Sequence, residues 1–364
     1  MGTVPPPHHG VTVFNQNLLQ SRLAQVFDVI HVDTSDHRNL DNFGRLDFWN
    51  VWHALKNIAQ LKIVCLTRRP ALVYLPNSQN NMGFFRDGLF VLVAKTLSKA
   101  KVIMHYHGSE TFTTFRLSTN GFMRWFIPFV LRRVDVGIVL GEKLRRVLDG
   151  LVKEVAVVPN GSSFDPPVEQ RNRAVGGVVT VAYLGSLMRA KGVIDLLQAA
   201  RLVVSDHPNV RFRLAGEWWA QEPDTKEEAL RLVAEQGLHG HIEFVGKVLG
   251  EEKERFLLES DMLVFPTWID SFGMVNIEAM AAGCPVISTK GVGAIEEVVL
   301  QGETGILVEK QNPGQLAEAI NRLVEDPGLR TMMGMAGRKR FEEHYRLEKN
   351  IERMIAVFQN AIES

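Results

Sequence analysis

The sequence predicts an α/β protein built from two doubly wound, Rossmann-like domains with parallel sheets, on three observations. Short β-branched runs alternate with longer helical patterns from one end to the other, the signature of βα repeats. Several runs (VVTVAYL, DMLVFP, CPVIST) are almost continuously apolar, as strands covered by helices on both faces must be. The 364 residues exceed one ordinary core and suit two domains of roughly 150 residues or more.

In chain order, the expected strands of the first domain are Val26–Val32, Ala71–Leu75, Lys101–His105, Asp135–Leu140 and Val155–Val158. Those of the second are Val178–Leu184, Val210–Ala215, Ile242–Val245, Met262–Phe265, Pro285–Ser288 and Gly305–Val308. Three-to-four apolar spacing marks helices such as Ile194–Val204, Glu227–Glu235 and Leu316–Val324 between them. The series breaks once, at Ser162–Pro167 followed by QRNR and Gly176-Gly177, the best linker in the chain. The expected division is residues 1–163, a linker at 164–177, and residues 178–345. A final helix from about Leu347 to Ile362, within 346–364, has no strand after it and is expected to cross back to the first domain. Only Met1–Val4 stand before the Pro5-Pro6-Pro7 turn where a first buried strand belongs, so that strand is very short or the chain starts late.

Composition excludes several classes. Lys plus Arg equals Asp plus Glu at 41 each, so no global field recruits nucleic acid or an acidic surface; any such attraction is local. Cys65 and Cys284 are too few for a disulfide framework or a zinc site and fit a reducing cytosol. No apolar run reaches the ~18 residues of a membrane span, and MGTVPPPHHG has no secretory pattern, so a cytoplasmic location is expected.

Four segments carry chemistry. The strongest is Asp270-Ser271-Phe272-Gly273-Met274-Val275-Asn276-Ile277-Glu278-Ala279-Met280-Ala281-Ala282-Gly283, which follows a buried strand and opens a helix at Phe272–Gly273. Unpaired N–H groups from Phe272 to Val275 and the helix dipole suit a diphosphate. Glu278, one turn in, can accept two hydrogen bonds from a ribose diol. The second is Leu184-Gly185-Ser186-Leu187-Met188-Arg189-Ala190-Lys191-Gly192, a glycine-bearing loop between strand and helix where open α/β sheets bind ligands. The third is Met104-His105-Tyr106-His107-Gly108, a strand running into a loop, with an imidazole placed to meet a hydroxyl. His105 and His107 share a strand face, but no third metal ligand is evident. The fourth is the opening loop through His8-His9-Gly10 to Phe14.

The Asp270–Gly283 stretch resembles the acid–x7–acid motif of GT-B-fold retaining glycosyltransferases of the family 4 (group 1) type, and the segment from Val73 to Gly108 resembles bacterial polysaccharide-biosynthesis members. The resemblance covers nearly the whole chain. It implies two Rossmann-like domains facing a central cleft and transfer of a hexose-type sugar from a UDP- or GDP-sugar to a glycan, lipid-linked or small acceptor. No cofactor and no metal are implied; no Asp-x-Asp pair stands at a strand end. Carried over, Asp270 contacts the donor sugar, Glu278 the ribose, and Lys191 the departing diphosphate, while His107 lies beside the sugar. Asp270 is one methylene shorter than the usual Glu, and Ser186 stands where the family has Arg, with Arg189 the nearest substitute. Ser271, Gly185 and Gly10 follow as donor-loop residues, and Val248 borders the base. Two other readings stay open: a GT-B-fold sugar-nucleotide epimerase, and a relative that binds without turnover. Residues 115–133 combine aromatics with arginines, which suits either peripheral contact with an anionic membrane at the inner face or simple packing on the sheet, with Pro128 expected to distort the helix.

Overall fold

The computed structural model describes residues 1–6, 10–35, 48–168 and 177–364, and these divide into two compact units, Met1–Pro159 with Asn350–Ser364, and Asn160–Lys349. Residues 169–176 of the expected linker, and His8 and His9, lie outside the described residues.

The first unit carries a four-stranded parallel sheet of β1 (Leu72–Pro76), β2 (Lys101–His105), β3 (Val136–Val139) and β4 (Glu154–Val157), in that spatial order. Its helices are α1 (Gly10–Gln20), α2 (Leu23–Val26), α3 (Phe48–Arg68), α4 (Asn81–Leu97), α5 (Thr111–Ser118) and α6 (Gly121–Leu131). Asn80 and Asn120 cap α4 and α6 by accepting from the Gly83 and Met123 N–H groups, as N-cap side chains do. Helix α6 continues through Pro128 to Leu131. The proline sits in the last turn, where only the Arg124 carbonyl loses a partner.

The expected strand Val26–Val32 does not form. Val26 closes α2, and of the following extended stretch only Asp33 bridges, in parallel, to Gly2. The reason is partner length: Gly2 N–H donates to Val32 O (3.3 Å) and Thr34 N–H to Gly2 O (3.3 Å), while the Met1 amine donates to Tyr74 O of β1 (2.7 Å). Residues 1–4 thus lie between the 32–34 stretch and β1, too briefly for a ladder. Beyond them a cavity of about 540 Å³ opens among Leu18, Leu61, Val29, Ile30, Leu72 and Phe358. Burial there pushes the Met1 amine down to about 5.

The second unit is a six-stranded parallel sheet: β5 (Val179–Leu184), β6 (Val210–Ala215), β7 (Ile242–Gly246), β8 (Met262–Phe265), β9 (Val286–Thr289) and β10 (Gly305–Val308), in the order β10-β9-β8-β5-β6-β7. The chain starts in the middle with β5, winds outward through β6 and β7, then returns beside β5 with β8 and winds the other way. Helices α7 (Val193–Asp206), α8 (Pro223–Glu235), α9 (Gly250–Leu258), α10 (Met274–Ala281), α11 (Ile295–Val298), α12 (Pro313–Glu325) and α13 (Pro327–His344) connect and cover these strands. Strand β8 and strand β9 are buried at every position, which accounts for their unbroken apolar runs. The last helix, α14 (Leu347–Glu363), places Phe358 against Tyr74 and Phe27, with ring centroids 5.5 and 5.9 Å apart.

Candidate active site

The loops that follow β5 and β8 leave the sheet side by side, because β5 and β8 are neighbours and the winding reverses between them. Such a switch point leaves a crevice at the carboxyl ends of the strands, where open α/β sheets hold ligands.

After β5, Gly185 N–H donates to Ala215 O (3.0 Å), Leu187 N–H donates to Glu217 O (2.8 Å), and a single 3₁₀ turn, Arg189–Lys191, leads to Gly192 and α7. Two glycines permit this packing. Gly216, at φ 153°, approaches so closely that a Cβ would lie 1.8 Å from Gly185 O. Gly192, at φ 77°, has Pro266 O 2.1 Å from where a Cβ would be, so no other residue fits between the two loops. Trp268 N–H then donates to Ala190 O (2.9 Å), fastening the β8 loop to the β5 loop.

This zippering delivers two of the expected residues to one place. Lys191 Nζ donates to Asp270 Oδ2 (2.7 Å) and to Ile269 O (2.9 Å). The other carboxylate oxygen of Asp270 accepts from Phe272 N–H (3.0 Å) and Gly273 N–H (2.7 Å). Asp270 therefore caps the loop that starts α10 and at the same time holds Lys191. This corrects one expectation: of the N–H groups from Phe272 to Val275, the first two are occupied by Asp270, and those of Met274 and Val275 remain at the helix start. Ser271 O accepts from Ala294 N–H (3.0 Å), so the loop is fixed from behind.

Glu278 lies one turn into α10 and accepts from Lys253 Nζ (2.8 Å), with both side chains mostly buried. Lys253 also stands 4.8 Å over the ring of Phe164. The sequence gives no hint of Lys253, which sits in GEEKERFLL among surface-type charges. Arg189, the nearest substitute for the absent arginine, is engaged by acids. Its guanidinium pairs with Glu228 of α8, and its own N–H donates to Glu222 (3.0 Å). Ser186 is exposed, with its carbonyl accepting from Tyr183 OH (2.8 Å). Val248 is buried in the loop after β7.

In the first unit, His107 follows β2. Its ring stacks on His105 with centroids 3.8 Å apart, and the edge of Phe14 from α1 meets both. His105 Nδ1 pairs with Tyr74 OH (2.9 Å). Burial pushes His107 down to about 3 and His105 well below its ordinary value, so both rings are neutral near pH 7. The Nε2 atoms of both rings and both side-chain atoms of Asn77, all buried, have no partner in the protein. Asn77 adjoins them through its N–H on His105 O (2.8 Å). Gly10 opens α1 with open space around it. Among the described residues no three His, Cys, Asp or Glu side chains cluster to hold a metal ion, and no helix is long and apolar enough to cross a membrane.

Two wound parallel sheets with this switch-point loop define the class: the architecture is that of GT-B glycosyltransferases. Among solved structures, sucrose-phosphate synthase from Thermosynechococcus elongatus aligns with TM-score 0.72 at 21% identity over 99% of this chain and 95% of that one. Anabaena HepE, solved in complex with UDP, aligns with TM-score 0.70 at 17% identity over 84% and 82%. Residues 168–340 match the family model described as "Glycosyl transferases group 1". The capsular polysaccharide biosynthesis glycosyltransferase CapM of Staphylococcus aureus is 26% identical over 80% of this chain and 77% of its own length. Residues 168–340 are thus similar to the group 1 glycosyltransferases, and the fold together with these relatives supports an enzyme of the transferase class.

Proposed function

We propose that the second unit binds a uridine-diphosphate hexose at its switch point and that the enzyme transfers the hexose, with retention of anomeric configuration, to a hydroxyl of a growing glycan or a lipid-linked acceptor. The observation that carries this reading is the Lys191–Asp270 contact beside the free N–H groups of Met274 and Val275. A cation and two amides there suit a diphosphate, the Glu278 carboxylate one turn on suits the ribose diol, and Asp270 suits the sugar hydroxyls. HepE, solved with UDP in the same fold, supports uridine as the base, and CapM supports an acceptor in polysaccharide assembly.

In the transfer, the C1–O bond to the β-phosphate breaks as the acceptor oxygen bonds to C1 on the same face. The acceptor proton passes to the departing phosphate oxygen. Negative charge grows on that phosphate, and Lys191 with the α10 N-terminus stabilises it by preorganised electrostatics, without a metal ion. His107, neutral and with an unpartnered Nε2, exchanges a hydrogen bond with a sugar hydroxyl. Attack on C1 is taken to be front-face, with no covalent nucleophile assigned among the described residues.

Thermal protection by UDP-, GDP- and ADP-sugars tests the proposal on the wild type and Glu278→Ala. The expected result is protection by a UDP-sugar alone, abolished in Glu278→Ala. Protection by none of them, in a folded wild type, overturns the donor assignment. Inversion at C2 of free donor would make the protein an epimerase.

A further inference from the structure

The outer surface of the first unit has a charge and composition that sugar transfer does not explain. Between residues 48 and 133 stand twelve lysines and arginines and only two acids, Asp87 and Glu110, in a chain whose charges cancel overall. Both acids are already paired, with Arg86 and Arg146. Lys95 is paired with Asp135 just beyond the segment, and the excess is carried at the surface by exposed cations such as Lys56, Lys62, Arg124 and Arg132.

Helix α3 shows what accompanies them. Its sequence, FWNVWHALKNIAQLKIVCLTR, contains no acid. Asn57, Leu61 and Cys65 turn inward and are buried. The opposite stripe, spaced three and four apart, is Phe48, Trp52, Leu55, Ala59, Ile63 and Leu66, and all six are exposed. Phe48 is 78% exposed, Trp49 58% and Trp52 54%. Lys56 and Lys62 flank the stripe on its two sides. A helix with an apolar seam on its outer face gains nothing from the core for that seam.

The neighbouring helices extend the surface. α4 packs between α3 and α6. α3 and α6 each lead into the start of a parallel strand, and α4 leaves the end of one, so all three helices begin at the edge where β1 and β2 finish. Phe48, Trp49 and Trp52 of α3, Met82 of α4, and Phe122 and Trp125 of α6 are exposed at that shared edge. Rings run along α6, with Trp125 stacked on Phe129 (4.9 Å) and the Arg133 guanidinium 3.7 Å above Phe129.

We propose that this α3–α4–α6 face docks on an anionic lipid bilayer, its aromatic edge and the α3 stripe entering the interfacial layer and its lysines and arginines meeting the headgroups. Aromatic and aliphatic side chains flanked by cations are the composition of helices that lie in that layer. A second copy is disfavoured, because two such faces would bring like charges together. The aliphatic members Leu55, Ile63 and Leu66 have no role against nucleic-acid phosphates. The surface spans more than residues 115–133, for which the sequence left membrane contact and packing on the sheet equally open, and α3 supplies most of it. The inference is independent of the donor assignment.

The test is co-sedimentation with vesicles of phosphatidylcholine, with and without phosphatidylglycerol, at low and high salt. It compares the wild type with Trp49→Ala/Trp52→Ala/Leu55→Ser and with Lys56→Glu/Lys62→Glu. All five positions are exposed, so melting temperatures should match and a folding defect is read separately. The wild type should partition about tenfold or more in favour of phosphatidylglycerol vesicles, lose that preference at high salt, and shift its tryptophan emission to the blue. Each variant should lose about tenfold in partitioning. Equal partition onto both vesicle types, or variants that bind like the wild type, would overturn the proposal. So would a dimer in solution that the same substitutions dissociate while vesicles bind nothing.

Discussion

The two units solve different problems with the same βα repeat. In the second, the loops at the strand ends are tied to each other: Lys191 to Asp270, Trp268 to Ala190, Ser271 to Ala294, Glu278 to Lys253. In the first, unpaired buried polar atoms of His105, His107 and Asn77 gather at the ends of β1 and β2, and the outer face is aromatic and basic, while the second has single unpaired atoms on Asn276 and Thr289. A pre-tied site suits a ligand that is always the same, such as a nucleotide diphosphate. Unpaired buried polar atoms suit a site completed by the ligand it receives, since an unpaired group costs free energy until a partner arrives. The contrast is between loops tied to one another and a cluster of buried polar atoms still open to a ligand.

The largest expected effect breaks the tied loops. Lys191→Ala should lower kcat by about 100- to 1000-fold, as removal of one preorganised charge-stabilising group does, because it removes the cation and frees Asp270 together. An effect below tenfold in initial-rate assays would place the diphosphate elsewhere. Next comes the backbone between the loops. Gly192→Ala or Gly216→Ala should destabilise the second unit by roughly 3 kcal/mol or more, through clash and left-handed strain. Denaturant melts would read this, and neutral replacements would show that the loops do not meet as described.

A smaller effect sharpens the role of Lys253. Lys253→Met should raise the donor KM by about tenfold with kcat nearly unchanged, the pattern of lost uniform binding. A fall in kcat alone would mean that Lys253 does not act through Glu278.

The smallest effect concerns acid. His107 titrates near 6.5 unfolded and at about 3 folded, so the unfolded chain binds the extra proton between those values. Its contribution is constant above about pH 6.5 and is lost as the pH falls toward 3. Melting temperature should drop from pH 7 to pH 5, and less steeply in His107→Asn. Parallel profiles for the two proteins would contradict a buried neutral His107.

How far the sequence was legible follows the same division. β8 and β10 sit where their apolar runs predict, since a strand covered on both faces writes itself as a continuous run. Val26–Val32 reads equally well as a strand yet forms none, because a strand needs a neighbour and residues 1–4 offer only a bridge. Asp270, Glu278 and Lys191 were visible because loop motifs constrain neighbours in sequence. The pairing of Arg189 was not legible: it stands two residues from Lys191, but its acid, Glu228, lies on another helix. Lys253 had no signal, because its partners Glu278 and Phe164 are distant in the chain. The outer stripe of α3 was hidden in a helix apolar on nearly every side, and only burial shows which side is unpartnered.

The central claim is that donor binding resides in the second unit's switch point, and UDP titration calorimetry on the wild type, Lys191→Ala and His107→Ala tests it most directly. The account predicts at least about a tenfold weaker Kd for Lys191→Ala, the loss of one charge-assisted contact, and a Kd for His107→Ala close to wild type. Weakened binding in His107→Ala with an unchanged Lys191→Ala would contradict it.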